Sequence, residues 1–153
     1  MTIQEIEQQI IDEFANFDEW IDKYAYIIDL GKECPVIDEK DKTEANLIKG
    51  CQSRVWVSCE YRDSKVYFKA DSDAVITKGI ISLLIRVYSG QTPQDILANE
   101  PVFIDQIGLK EHLSPTRSNG LTSMLKQIKM YALALSLLRM SMHTSPTLCD
   151  VIL

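Results

Sequence analysis

Apolar residues recur at helical spacing from the start of the chain. Ile6, Ile10, Phe14 and Phe17 trace one stripe, and Trp20, Ile21, Tyr24, Ile27 and Ile28 trace a second. Thr2 and Glu5 fit a capping box for the first helix; Asp18 fits a cap for the second, with Gly31 as its stop. The stretch KECPVIDEKDKTEA then loses its period and predicts a long charged connection. From Asn46 the pattern changes. SRVWVSCEY and KVYFKA are rich in β-branched and aromatic residues, with RDS between them, and predict a hairpin. NLIK, just before Gly50, fits a third short strand. DSDAVITKGIISLLIRVYSG predicts a helix capped by Asp71 or Ser72, with Asp73 in its first turn and Gly90 at its end. Its apolar residues run nearly all round, so it is the central, buried helix. Gly79 inside it costs about 1 kcal/mol relative to alanine, which predicts close approach of another backbone.

Thr92, Pro93 and Asp95 mark another helix start, and Pro101 keeps that helix short. LKEHLSPTRSNGL reads as a polar loop or turn. Leu121, Met124, Leu125, Ile128, Ala132, Leu135 and Leu138 then trace a long amphipathic helix. Helices thus flank a short run of strands. This order predicts an α+β fold, with a small antiparallel three-stranded sheet and helices packed mainly on one face. Residues 1–141 form a single domain, and 142–153, without helical period, are expected to form a loosely ordered tail.

Composition narrows the function classes. The 153 residues suit one core, and 46% hydrophobic with 25% charged residues is ordinary for a globular protein. A formal net charge of −6 without a basic cluster argues against nucleic acid or an anionic membrane as partner. No apolar run approaches the roughly 20 residues a membrane span needs. MTIQEIEQQ lacks a basic region followed by an apolar one, so no signal peptide is expected and the predicted location is the cytoplasm. Cys34, Cys51, Cys59 and Cys149 form no C-x-x-C, and neither His112 nor His143 stands at ligand spacing to them. No metal site and free thiols in a reducing compartment are the expectation.

Cys51 is the first candidate for chemistry. It follows Gly50 at the lip of a predicted strand, and two readings stand: a small loop hydrophobe, or a thiol the loop presents. Arg54, three residues on, would lower its pKa if it pointed inward. Cys59 reads as core, Cys34 and Cys149 as incidental. Arg117, in SPTRSNG at the start of the last helix, is either a carboxylate- or partner-binding group or a solvated charge. Asp73 either favours its helix or serves a site. His112 reads as a surface or half-buried histidine. No Ser-His-Asp order, phosphate loop or H-E-x-x-H pattern is present.

GCQSRVW, ADSDAVITKGIISLL, VYSGQTPQDI and HLSPTRSNGL, with WIDKYAYIIDLGK before them, together resemble the SufE family of sulfur-acceptor proteins over about Met1 to Ser141. The resemblance implies the SufE/IscU-like fold. It also implies a carrier that takes persulfide sulfur from a SufS-type cysteine desulfurase, stimulates that enzyme and passes the sulfur to an iron–sulfur scaffold complex of SufBCD type. Cys51 falls on the acceptor position. Asp73 and Arg117 fall on positions implicated in partner binding or in positioning the cysteine loop. No cofactor is implied for the chain itself, since pyridoxal phosphate belongs to the desulfurase. The chain is then a covalent sulfur-transfer protein rather than a free-standing enzyme. The family's behaviour further implies a Cys51 side chain turned inward at rest. The alternative is a non-covalent regulator of a desulfurase in which Cys51 is only structural. A free-standing thiol enzyme is more remote, because no histidine offers itself as a base.

Overall fold

A computed structural model describes residues 1–141; the expected loose tail, 142–153, lies outside the described residues. The element order is α1 (Ile3–Phe14), α2 (Trp20–Gly31), β1 (Val55–Arg62), β2 (Lys65–Ser72), α3 (Val75–Tyr88), α4 (Pro93–Ala98), α5 (Val102–Gln106) and α6 (Pro115–Ser141). The Thr2 hydroxyl accepts from Glu5 N–H at α1, and the Thr92 hydroxyl accepts from Asp95 N–H at α4, as the sequence pattern predicts. Asp18 caps nothing: α2 starts after Glu19, with no side-chain cap.

The sheet has two antiparallel strands, paired from Val55↔Ser72 to Arg62↔Lys65. Asp63 and Ser64, with φ of 51° and 65°, make the tight turn between them, a geometry suited to the strand twist. Val55, Val57 and Cys59 alternate with Val66, Phe68 and Ala70 on the buried face. The expected third strand is a correction. Residues 46–48 touch β1 through one bridge, Leu47↔Trp56, and two backbone bonds, Ile48 N–H to Val55 O and Val57 N–H to Asn46 O. Gly50, with φ of 91°, turns the chain away before a ladder can lengthen.

Helix α3 lies against β2 on one side and α2 on the other, and most of its residues are buried. The α2–α3 crossing explains two glycines. A Cβ on Gly79 would fall inside contact distance of the Ile27 carbonyl, and one on Gly31 would meet Gly79 N at 2.9 Å. Gly31 therefore serves packing rather than a helix stop; the cap residue after it, Lys32, keeps right-handed helical angles. At the far end, Gly90 (φ 81°) does leave the helix in the left-handed region. Helix α6 begins at Pro115, six residues before its apolar period, because Ser114 Oγ accepts from Arg117 N–H. No helix among the described residues is long and apolar enough to cross a membrane.

Candidate functional site

The site is a loop, residues 49–54, held at both ends. At its base, Ile48 N–H donates to Val55 O at 2.8 Å. Asn46, 6% exposed, fixes the incoming arm: its amide donates to Asp41 O, and its Oδ1 lies 3.1 Å from the Tyr131 hydroxyl of α6. On the outgoing arm, Arg54 N–H donates to Asp73 Oδ1 at 3.1 Å, and Ser72 Oγ donates to Arg54 O at 2.8 Å. Asp73 N–H also donates to Arg54 O. The residue expected in the first turn of α3 thus stands just before that helix and holds the cysteine loop. A carboxylate accepting from a backbone N–H is a strong, directional restraint.

Between these anchors the loop lies on the first turns of α6. Cys51 is half-buried, and its Sγ–H donates to Gly120 O at 3.6 Å. A Cβ on Gly50 would stand 2.5 Å from Ser123 Oγ, so glycine is required there for contact as well as for its positive φ. A pocket of about 310 Å³ opens beside the thiol. Ile80, Met124, Thr77, Ser114, Thr116 and Arg117 are among the residues that line it. Arg117 is the one charged residue among the described lining residues. The structure therefore brings Cys51 and Arg117 to one pocket, while Asp73 does not line it and is tied to the same loop at Arg54.

Burial raises the Cys51 pKa above the ordinary thiol value. Arg54, expected to lower it from an inward position, is exposed and does not line the pocket. The half-buried position therefore favours the protonated thiol. Cys34 is buried at 4% exposure, with its pKa pushed up to about 11 by burial. It is a packing residue rather than a loop thiol. Cys59 lies in the core at 8% exposure, as its place in the strand pattern predicts. His112 is exposed, stacks on Trp20 at 4.0 Å between ring centroids and has Nδ1 2.9 Å from Gly108 O. Nothing places it near Cys51 as a base.

Sequence reasoning missed Asn46, Tyr131, Gly120 and Ser123. Asn46 alone carried a signal, an amide directly before an apolar run; the others are set by how α6 lies under the loop. Among the described residues, no group of three or more His, Cys, Asp or Glu side chains is arranged to hold a metal ion.

Residues 8–132 match the family described as "SufE: Fe-S metabolism associated domain". An uncharacterized SufE-like protein of Rhizobium meliloti (strain 1021) is 40% identical over 129 residues, covering 81% of this chain and 92% of the relative. Another, from Rhizobium etli, is 41% identical over 126 residues, covering 79% of this chain and 85% of the relative. The fold is similar to the solution structure of a hypothetical protein from Thermus thermophilus, with a TM-score of 0.69 at 20% identity over 83% of this chain and 93% of that one. By the family match across most of its length and by these relatives, the chain belongs to the SufE family, the Fe-S metabolism associated domain.

Proposed function

We propose that this protein is a sulfur carrier for iron–sulfur cluster assembly and that Cys51 is its acceptor. The observation that carries the reading is the thiol itself: half-buried at a loop tip, beside an open pocket, with the loop latched by Asp73 and bordered by Arg117. The donor is a cysteine desulfurase of SufS type, which brings its own pyridoxal phosphate. On docking the loop opens and the Cys51 thiolate attacks the outer sulfur of the desulfurase persulfide. A new S–S bond forms at Cys51, the enzyme's S–S bond breaks, and the enzyme leaves as a thiolate. No net oxidation occurs. The step is the sulfane analogue of thiol–disulfide exchange, and its rate depends on thiolate fraction and access. Delivery to a scaffold complex of SufBCD type repeats it with roles reversed.

Asp73 and Arg117 serve the loop and the docking surface. Asp73 holds Arg54 until the partner arrives, and Arg117 offers a planar cation at the pocket mouth. The test is stimulation of a SufS-type desulfurase by wild type and by Cys51→Ser. The carrier reading expects the variant to bind but to leave desulfurase turnover at its unstimulated rate. Full stimulation by Cys51→Ser would instead establish a non-covalent regulator with a structural Cys51.

A further inference from the structure

Gly120 sits in the first turns of α6 with no positive φ, so its backbone geometry does not call for glycine. Glycine inside a helix is less favourable than alanine by about 1 kcal/mol. Outside its own helix, a Cβ at this position would meet one atom within 4 Å among the described residues, Cys51 Sγ at 3.5 Å. That is ordinary van der Waals contact, so alanine would fit against the thiol. The space left by Gly120 is therefore more than the thiol needs. Gly120 lines the same pocket as the buried Ile80 and Met124.

We infer that this space is the seat of the outer sulfur of a Cys51 persulfide, and that Gly120 is the positioning residue that lets the loop close over the loaded carrier. The inference rests on the carrier reading above and deepens it. An S–S bond adds a sulfur about 2.05 Å beyond Sγ. Toward α6, that atom and a Cβ standing 3.5 Å from Sγ cannot both be accommodated. Toward the pocket mouth, the sulfur would face Arg117 and solvent. With glycine, the loop latches at Asp73 with or without cargo. With alanine, it latches only over the bare thiol, and the loaded form stays open.

Loss of cargo measures this. A dithiol such as dithiothreitol reduces the persulfide: one dithiol is oxidised to its disulfide, the outer sulfur leaves as hydrogen sulfide, and Cys51 returns to the thiol. Access to the S–S bond sets the rate. Wild type, Gly120→Ala and Asn119→Ala are each loaded with a SufS-type desulfurase and cysteine, desalted, and treated with limiting dithiothreitol. Intact mass follows the remaining adduct, while iodoacetamide alkylation of the unloaded proteins reports the bare thiol. Asn119 is exposed on the neighbouring position, so its variant controls for helix propensity. Gly120→Ala is expected to lose its adduct about fivefold faster than wild type and Asn119→Ala. Its unloaded thiol should alkylate at the wild-type rate, and its melting temperature should not fall. Equal adduct lifetimes in Gly120→Ala and wild type would overturn the inference and leave the carrier reading standing. So would faster alkylation of the unloaded variant, since glycine would then be seating the thiol alone. Absence of any adduct on wild-type Cys51 would remove both.

Discussion

At the scale of single residues, the closed loop works against the thiolate that the proposed transfer needs. Burial raises the Cys51 pKa, so the closed state favours the protonated form. A group whose folded pKa lies above its unfolded value contributes stability that is complete below the unfolded value and is lost as pH rises through the folded one. Alkylation of Cys51 should therefore have a midpoint above the ordinary thiol range. Asp73→Arg removes the acceptor that holds Arg54 N–H, and it should move this midpoint down toward the ordinary value. A wild-type midpoint at or below the ordinary range would contradict the latch. Arg117→Glu tests the other side. The backbone N–H of Arg117, not its side chain, completes the α6 cap, so stability should change by about 0.5 kcal/mol or less. Desulfurase binding and stimulation should both fall. Normal binding, stimulation and melting in the charge-reversed variants at both Asp73 and Arg117 would leave Cys51 as the only functional residue of the three. The loop position of Cys51 was legible from sequence because a glycine–cysteine pair stands at a strand lip. Asp73 was legible as a position but not in its contacts, since its partner Arg54 lies on a different element.

At the scale of elements, the strongest local signals were those with side-chain chemistry at fixed offsets. Thr2 and Thr92 cap their helices as their spacings require. Helix α3 is central because its apolar residues leave no polar face. Its contact with α2 carries a sharp prediction. Gly79→Ala gains about 1 kcal/mol of helix propensity. It also drives a Cβ into the Ile27 backbone carbonyl, which cannot yield as a side-chain tip would. A net loss of about 3 kcal/mol is expected in urea unfolding, and an unchanged or raised midpoint would show that the two helices can separate freely. Other elements lay beyond local pattern. Helix α5 has five residues after Pro101, too few to show a period. The first turns of α6 carry Thr116, Arg117, Ser118 and Asn119, a polar run that hid the Ser114–Pro115 start. The third strand failed because pairing depends on where Gly50 turns the chain, which the β-propensity of 46–49 does not encode.

At the scale of the whole molecule, the sheet and helices amount to a frame for one loop. The arm at Asn46 is tied to α6 through Tyr131, the arm at Arg54 is tied to the start of α3, and the thiol rests on the face of α6. The hydrogen bonds of Arg54 and the contact of Cys51 with Gly120 are all at the loop and none is a core contact, so the opening that the proposed transfer requires would need no unfolding. The frame offers no ligand cluster among the described residues, and the purified protein is expected to retain no stoichiometric zinc or iron after dialysis against a chelator. Metal retained at one equivalent would redirect the chemistry from sulfur transfer to metal binding. The most direct test of the central claim is mass spectrometry of the protein after incubation with a SufS-type cysteine desulfurase and cysteine, with peptide mapping of all four cysteines. The account predicts an adduct of about 32 Da, one sulfur, on Cys51 and none on the Cys51→Ser protein; an adduct on Cys34, Cys59 or Cys149 with Cys51 bare would contradict it.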